Sequence, residues 1–159
     1  MITMKKRITI RVGDVFCAEI EGQHKCYFQY ITNDISQLNS QVIRVFRKHY
    51  ALNYTPVIED IVSDDIMFYA HTYIRAGYQN DAWYKIGHSK NLGETDNIFF
   101  RLFGNKWYTW KCNKPYQYHE ELPKECEQYD LGWMYSYISI MRKIRCDNKE
   151  KEFSGKYEH

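Results

Sequence analysis

Short apolar runs separated by polar and turn residues mark the N-terminal third of the chain. Ile8 to Val12, Val15 to Ile20, Cys26 to Ile31 and Val42 to Phe46 are rich in β-branched and aromatic residues, with Gly, Asn and Asp between them. That pattern predicts a strand meander over residues 8–48. Gly13-Asp14 allows the positive φ of a turn or bulge, which would bend the first run into the next strand. Phe16, Ala18 and Ile20 share the face expected to look inward, and Val15, Cys17 and Glu19 take the other. In the third run Val42 and Arg44 alternate against Ile43, Val45 and Arg47, a mixed register. Ile35 and Leu38 are the apolar anchors of the preceding polar loop and are expected to tuck against the sheet.

Further on the period changes. Thr55 as cap and Pro56 at the first helical position, with Glu59 and Asp60 near the positive end of the dipole, predict a helix over 56–63. Val57, Ile58, Ile61 and Val62 form its apolar face. Strands are expected near 66–74, 83–87 and 106–111, an edge strand over 48–54, and a loop over 75–82. The stretch 95–103 fits a helical turn or a strand, and 113–129 is irregular. Residues 136–145 suit a helix capped by Ser136, with Arg142, Lys143 and Arg145 in its last turn. The expected fold is therefore α+β: a strongly bent antiparallel sheet or partial barrel with one or two helices packed on it. It forms a single domain over 1–159, ordered from about 8 to 146, with a short basic start at 1–7 and a polar, fraying tail at 147–159.

A chain of 159 residues can bury one core without disulfide or metal staples. Net charge is only +2, which gives no global case for nucleic-acid binding. The charge is uneven: residues 1–54 carry eight Lys/Arg against four Asp/Glu, residues 55–130 eight against twelve, and the remainder six against four. The five cysteines show no Cys-x-x-Cys spacing. With no leader and no long apolar run, the expectation is a reduced, cytoplasmic protein that does not enter membranes.

Candidate chemistry is sparse. Cys112, His119 and Cys126 bracket one loop but lack the paired spacing of a structural zinc site, so no metal or cofactor is expected. No motif marks an activated nucleophile, a phosphate loop or a metalloprotease, so no catalytic residue is assigned. Arg44, Arg47, Lys48 and Tyr50, interleaved with Phe46 and His49, form a basic aromatic patch. It reads either as a sheet edge protected by charge or, in a regulatory alternative, as a nucleic-acid platform.

Several short segments together resemble the immunity protein 26 family of bacterial polymorphic toxin systems. They are Val12-Gly13-Asp14-Val15-Phe16, Tyr27-Phe28-Gln29-Tyr30-Ile31, Val42-Ile43-Arg44-Val45-Phe46, Phe68-Tyr69-Ala70-His71-Thr72 and Trp83-Tyr84-Lys85-Ile86-Gly87. The resemblance spans about residues 8–90 and implies a non-catalytic protein that binds and blocks a cognate toxin. Toxins that attack nucleic acids tend to be basic, so carboxylates would steer association. Two acidic groups are candidates: Glu59, Asp60, Asp64 and Asp65 around the short helix, and Glu120, Glu121, Glu125, Glu127 and Asp130 in the long loop. Tyr116, Tyr118 and Tyr129 flank the second group as possible anchors.

Overall fold

The structure, a computed structural model, describes residues 7–152, with side chains through 146; the rest of the basic start and residues 153–159 of the tail lie outside the described residues. In chain order the strands are β1 (Asp14–Ile20), β2 (His24–Asp34), β3 (Ser40–Phe46), β4 (Tyr50–Ala51), β5 (Ile66–Thr72), β6 (Tyr84–His88), β7 (Phe99–Phe103), β8 (Trp107–Lys111), β9 (Gln117–His119), β10 (Asp130–Leu131) and β11 (Met134–Tyr135). The helices are α1 (Ile58–Val62), α2 (Ile74–Gln79) and α3 (Tyr137–Glu152).

The fold is α+β, but it holds two sheets and neither closes into a barrel. The first runs β11-β5-β3-β2-β1-β6, with β4 paired to β2 off that path; the second runs β10-β7-β8-β9. Pairing is antiparallel except for β11 beside β5 and β10 beside β7. The β1–β2 hairpin turns through Glu21 (φ 52°) and Gly22 (φ 66°), and Gln23 N–H donates to Ile20 O at 2.9 Å. Two successive positive φ values match the twist of the flanking strands.

The meander forms with differences. Residues 8–12 are not a strand, and β1 starts only after Gly13 (φ 102°), where a Cβ would run into the His88 ring. Phe16, Ala18 and Ile20 face the main core, as expected, beside Phe28, Val45, Trp83 and the α3 residues Ile140 and Ile144. Val15 and Cys17 are equally buried, because Ile61 and Val62 of α1 cover that face with Tyr27 and Phe46. Burying both faces of the sheet explains why its strands read as nearly continuous apolar runs.

Ile35 and Leu38 do not tuck in; they are 74% and 92% exposed. Polar contacts hold their loop instead: Ile35 N–H donates to Asn113 Oδ1 at 2.8 Å, and Ser36 N–H to Asp34 Oδ1 at 3.0 Å. The strand at 107–111 belongs to the second sheet rather than extending the first, and 99–103 resolves as its strand partner. Helix α1 begins later than Thr55-Pro56 predict. Its cap position is Val57, whose N–H donates to the Tyr54 hydroxyl at 3.2 Å. Helix α2 occupies most of the expected 75–82 loop. Ser136 caps α3 as expected, its Oγ accepting Ser139 N–H at 3.1 Å, but the helix continues through Glu152 into the stretch read as a fraying tail.

A third apolar cluster, including Ile31, Val42, Phe100 and Trp110, joins the sheets. At its edge the buried Asp34 accepts Trp110 Nε1–H at 2.9 Å and Asn113 N–H at 2.9 Å, and pairs with His71 Nε2 at 2.8 Å. The short run 130–135 also ties the sheets together, since β10 pairs with the second and β11 with the first.

Candidate binding surface

The second sheet has unlike faces. Phe100, Leu102 and Trp110 turn toward the third cluster. Alternation and register place Phe99, Arg101, Phe103, Trp107, Thr109 and His119 on the outer face. There Phe103 meets Trp107 with ring centroids 5.1 Å apart, and the Arg101 guanidinium lies over Trp107 at 5.8 Å. Thr109 Oγ1 and His119 Nε2 are hydrogen-bonded at 2.7 Å.

The loop after β9 arches back over this face. Pro123 starts a single 3-10 turn over Lys124–Cys126 that buries Cys126, and Tyr129 N–H donates to Cys126 O at 3.1 Å. Tyr129 then stacks on Phe99, with centroids 4.9 Å apart and planes 16° from parallel. Between loop and sheet lies an open groove of about 550 Å³, lined by Phe99, Thr109, Lys111, His119, Pro123 and Glu125 among others.

The structure sorts the sequence-derived candidates. Glu121, Glu125 and Glu127 are exposed and form no ion pair among the described residues. Glu120 pairs with Lys106 at 3.0 Å. Tyr118 is 66% exposed and meets Tyr108 edge-on at 4.9 Å. Tyr116 is structural: its hydroxyl donates to Ser36 O and its ring meets Trp110 edge-on at 4.7 Å. Asp130 is structural too, Oδ2 accepting Tyr69 N–H at 2.9 Å across the two sheets.

The other acidic group sits on α1, against the first sheet. Glu59 and Asp60 are exposed, with Glu59 Oε1 accepting from Ser89 Oγ at 3.2 Å. Asp64 shapes its own turn, taking Lys48 N–H at 2.6 Å and Asp65 N–H at 2.8 Å, while Asp65 is exposed. The two groups thus belong to different elements rather than to one acidic face.

The basic patch does not form a cationic platform. Arg44 is only 4% exposed and donates to Gln29 Oε1 at 2.9 Å, Val62 O at 3.2 Å and Asn91 O at 2.8 Å. Burial disfavours its charged form and pulls its pKa down. Arg47 is exposed. Lys48 and Tyr50 share a small hollow with Asp60 and Asp64, carboxylates that would repel a phosphate. Local sequence could not reveal this, because α1 brings its carboxylates there from further along the chain.

Among the described residues Thr109 and His119 form a hydroxyl–imidazole pair, while His71 and His88 turn to carboxylates. The buried Asp14 takes Lys85 Nζ and His88 Nδ1, each at 3.0 Å, and Arg11 N–H at 2.9 Å. Among the described residues no hydroxyl or thiol is bonded to His88, and Ser89 Oγ turns to Glu59 instead. Cys17, Cys26, Cys112 and Cys126 are buried and unpaired, and Cys146 is exposed. Burial pushes the Cys17 and Cys26 thiols up, and Cys112 to about 12, so none of the three is poised as a thiolate. No group of three or more His, Cys, Asp or Glu suited to a metal exists among the described residues, and no helix there is long and apolar enough to cross a membrane.

Comparison with known proteins gave no match to any family model, curated protein or solved structure. One feature of this face is not evident from composition or charge: exposed Phe103 beside half-buried Trp107. The hairpin Phe103-Gly104-Asn105-Lys106-Trp107, with an aromatic on each side of a Gly-Asn turn, was the available signal.

Proposed function

We propose that this chain is a non-catalytic, cytoplasmic protein that binds and neutralises a cognate bacterial toxin. It docks through the outer face of the second sheet and the 120–129 loop. The observation that carries the reading is an aromatic face left open, with Phe103 61% exposed beside Trp107, next to a loop whose Glu121, Glu125 and Glu127 lack ion-pair partners among the described residues. Aromatic anchors ringed by polar groups are where binding energy concentrates. Unpaired rim carboxylates suit a basic partner by speeding encounter. The resemblance of residues 8–90 to immunity proteins supplies the class of partner.

The two parts of the surface act on different rates. Replacing Phe103 and Trp107 by Ala is expected to raise the dissociation rate from the purified toxin at least tenfold. Reversing Glu121, Glu125 and Glu127 to Lys is expected to slow association at low salt and flatten its salt dependence. Glu120 contributes less, because Lys106 already neutralises it. Surface plasmon resonance measures both rates. Unchanged kinetics in both variants would remove this face as the docking surface, and a toxin fully active in the presence of excess protein would sink the reading itself.

A further inference from the structure

On the opposite flank of the same loop a second cleft, of about 600 Å³, opens between residues 127–131, β11 and the first turns of α3. Its chemistry differs from that of the groove. Arg101, Arg142 and Lys143 line it, against Glu127 and against Asp130, whose Oδ2 already takes Tyr69 N–H at 2.9 Å. Arg101 is held in place by donating Nε–H to Tyr129 O at 2.9 Å, which leaves its terminal nitrogens as donors. Arg142 is exposed and has no ion-pair partner among the described residues. Ser139 also lines the cleft, its Oγ 3.0 Å from Ser136 Oγ.

One wall is flat and apolar. Trp133 is 49% exposed and meets Tyr135 edge-on with centroids 5.8 Å apart, while Met134 beside it is 48% exposed. Guanidinium forks match oxyanions in two-point contacts, and an indole face accepts a stacked ring. The volume lies within the roughly 300–1,000 Å³ of small-molecule sites. We infer that this cleft binds a phosphorylated aromatic small molecule of nucleoside-monophosphate size, its phosphate held by Arg101 and Arg142 and its ring laid against Trp133. The cleft borders the face proposed for the toxin and shares Arg101 and Glu127 with it, but ligand binding here is measured without a toxin and does not depend on that proposal.

Isothermal titration calorimetry of the full chain with AMP, adenosine and inorganic phosphate tests the inference. AMP is expected to bind one site per chain more tightly than either fragment. Arg142→Ala and Trp133→Ala, both at exposed positions, are each expected to weaken AMP binding at least tenfold while keeping the wild-type melting temperature. Lys90→Ala, outside the cleft, should leave it unchanged. The inference is overturned if AMP shows no binding up to millimolar concentration, if inorganic phosphate binds as tightly as AMP, or if binding survives in both cleft variants.

Discussion

Asp34 shows how far a single side chain can reach. Its carboxylate takes hydrogen bonds from Ser36 N–H, Asn113 N–H and Trp110 Nε1–H and pairs with His71, so one buried residue fastens β2 to β5 and β8. Burial raises its pKa, but His71, Trp110 and Asn113 outweigh that and hold it below the ordinary value. A carboxylate depressed on folding contributes stability above its unfolded pKa of about 3.9 and loses that contribution as pH falls through the lower folded value. Asp34→Asn would put an amide nitrogen against a ring of donors and is expected to cost about 3 kcal/mol at pH 7. The difference from wild type should shrink below about pH 4. Urea melts across pH measure this, and a pH-independent difference would contradict the linkage. In the sequence Asn33-Asp34 reads only as loop punctuation, because each of its long-range partners lies beyond residue 70.

Elements were legible where one local period settled them. The hairpin β1–β2, strands β5 and β8, and the Ser136-capped start of α3 follow from alternation or capping alone. Helix α2 was not legible, since Gly77 and Asn80-Asp81 look like loop residues. Tertiary packing makes it a helix: Ile74 and Tyr78 are buried, and Trp83 donates its indole N–H to Ile74 O at 2.9 Å. A Cβ on Gly77 would overlap the Trp83 ring, which is itself held edge-to-face against Phe28 at 4.9 Å. Helix propensity alone would make Gly77→Ala stabilising by about 1 kcal/mol. The rigid ring reverses the sign, and a loss of roughly 1–3 kcal/mol is expected, the usual cost of overpacking. Chemical denaturation decides between the two, since a more stable Gly77→Ala would show that Trp83 yields easily.

Across the whole molecule, the two sheets share the third apolar cluster, the Asp34 hub and the 130–135 run. The expected consequence is a single unfolding transition, with near-UV and far-UV circular dichroism coincident through a thermal melt. A separate early loss of the aromatic signal would mean that the second sheet opens on its own. The candidate surface was legible as charge, because Glu121, Glu125 and Glu127 stand out in a polar loop. It was not legible as geometry: Asp130, Tyr116 and Arg44 turn inward to partners that only the fold supplies.

The 130–135 run also bears on how the chain is made. Its bonds reach far back, from Asp130 to Tyr69 over 61 positions and from Tyr135 to Thr72 over 63. Contacts of that span close late, because loop-closure entropy must be overcome before they form. On the ribosome the first sheet can pair its hairpins as they emerge, but it lacks its outermost strand until residue 135 clears the exit tunnel. During that interval the end of β5 has a bare edge available to other nascent chains, so residues 130–135 cover an edge made long before them.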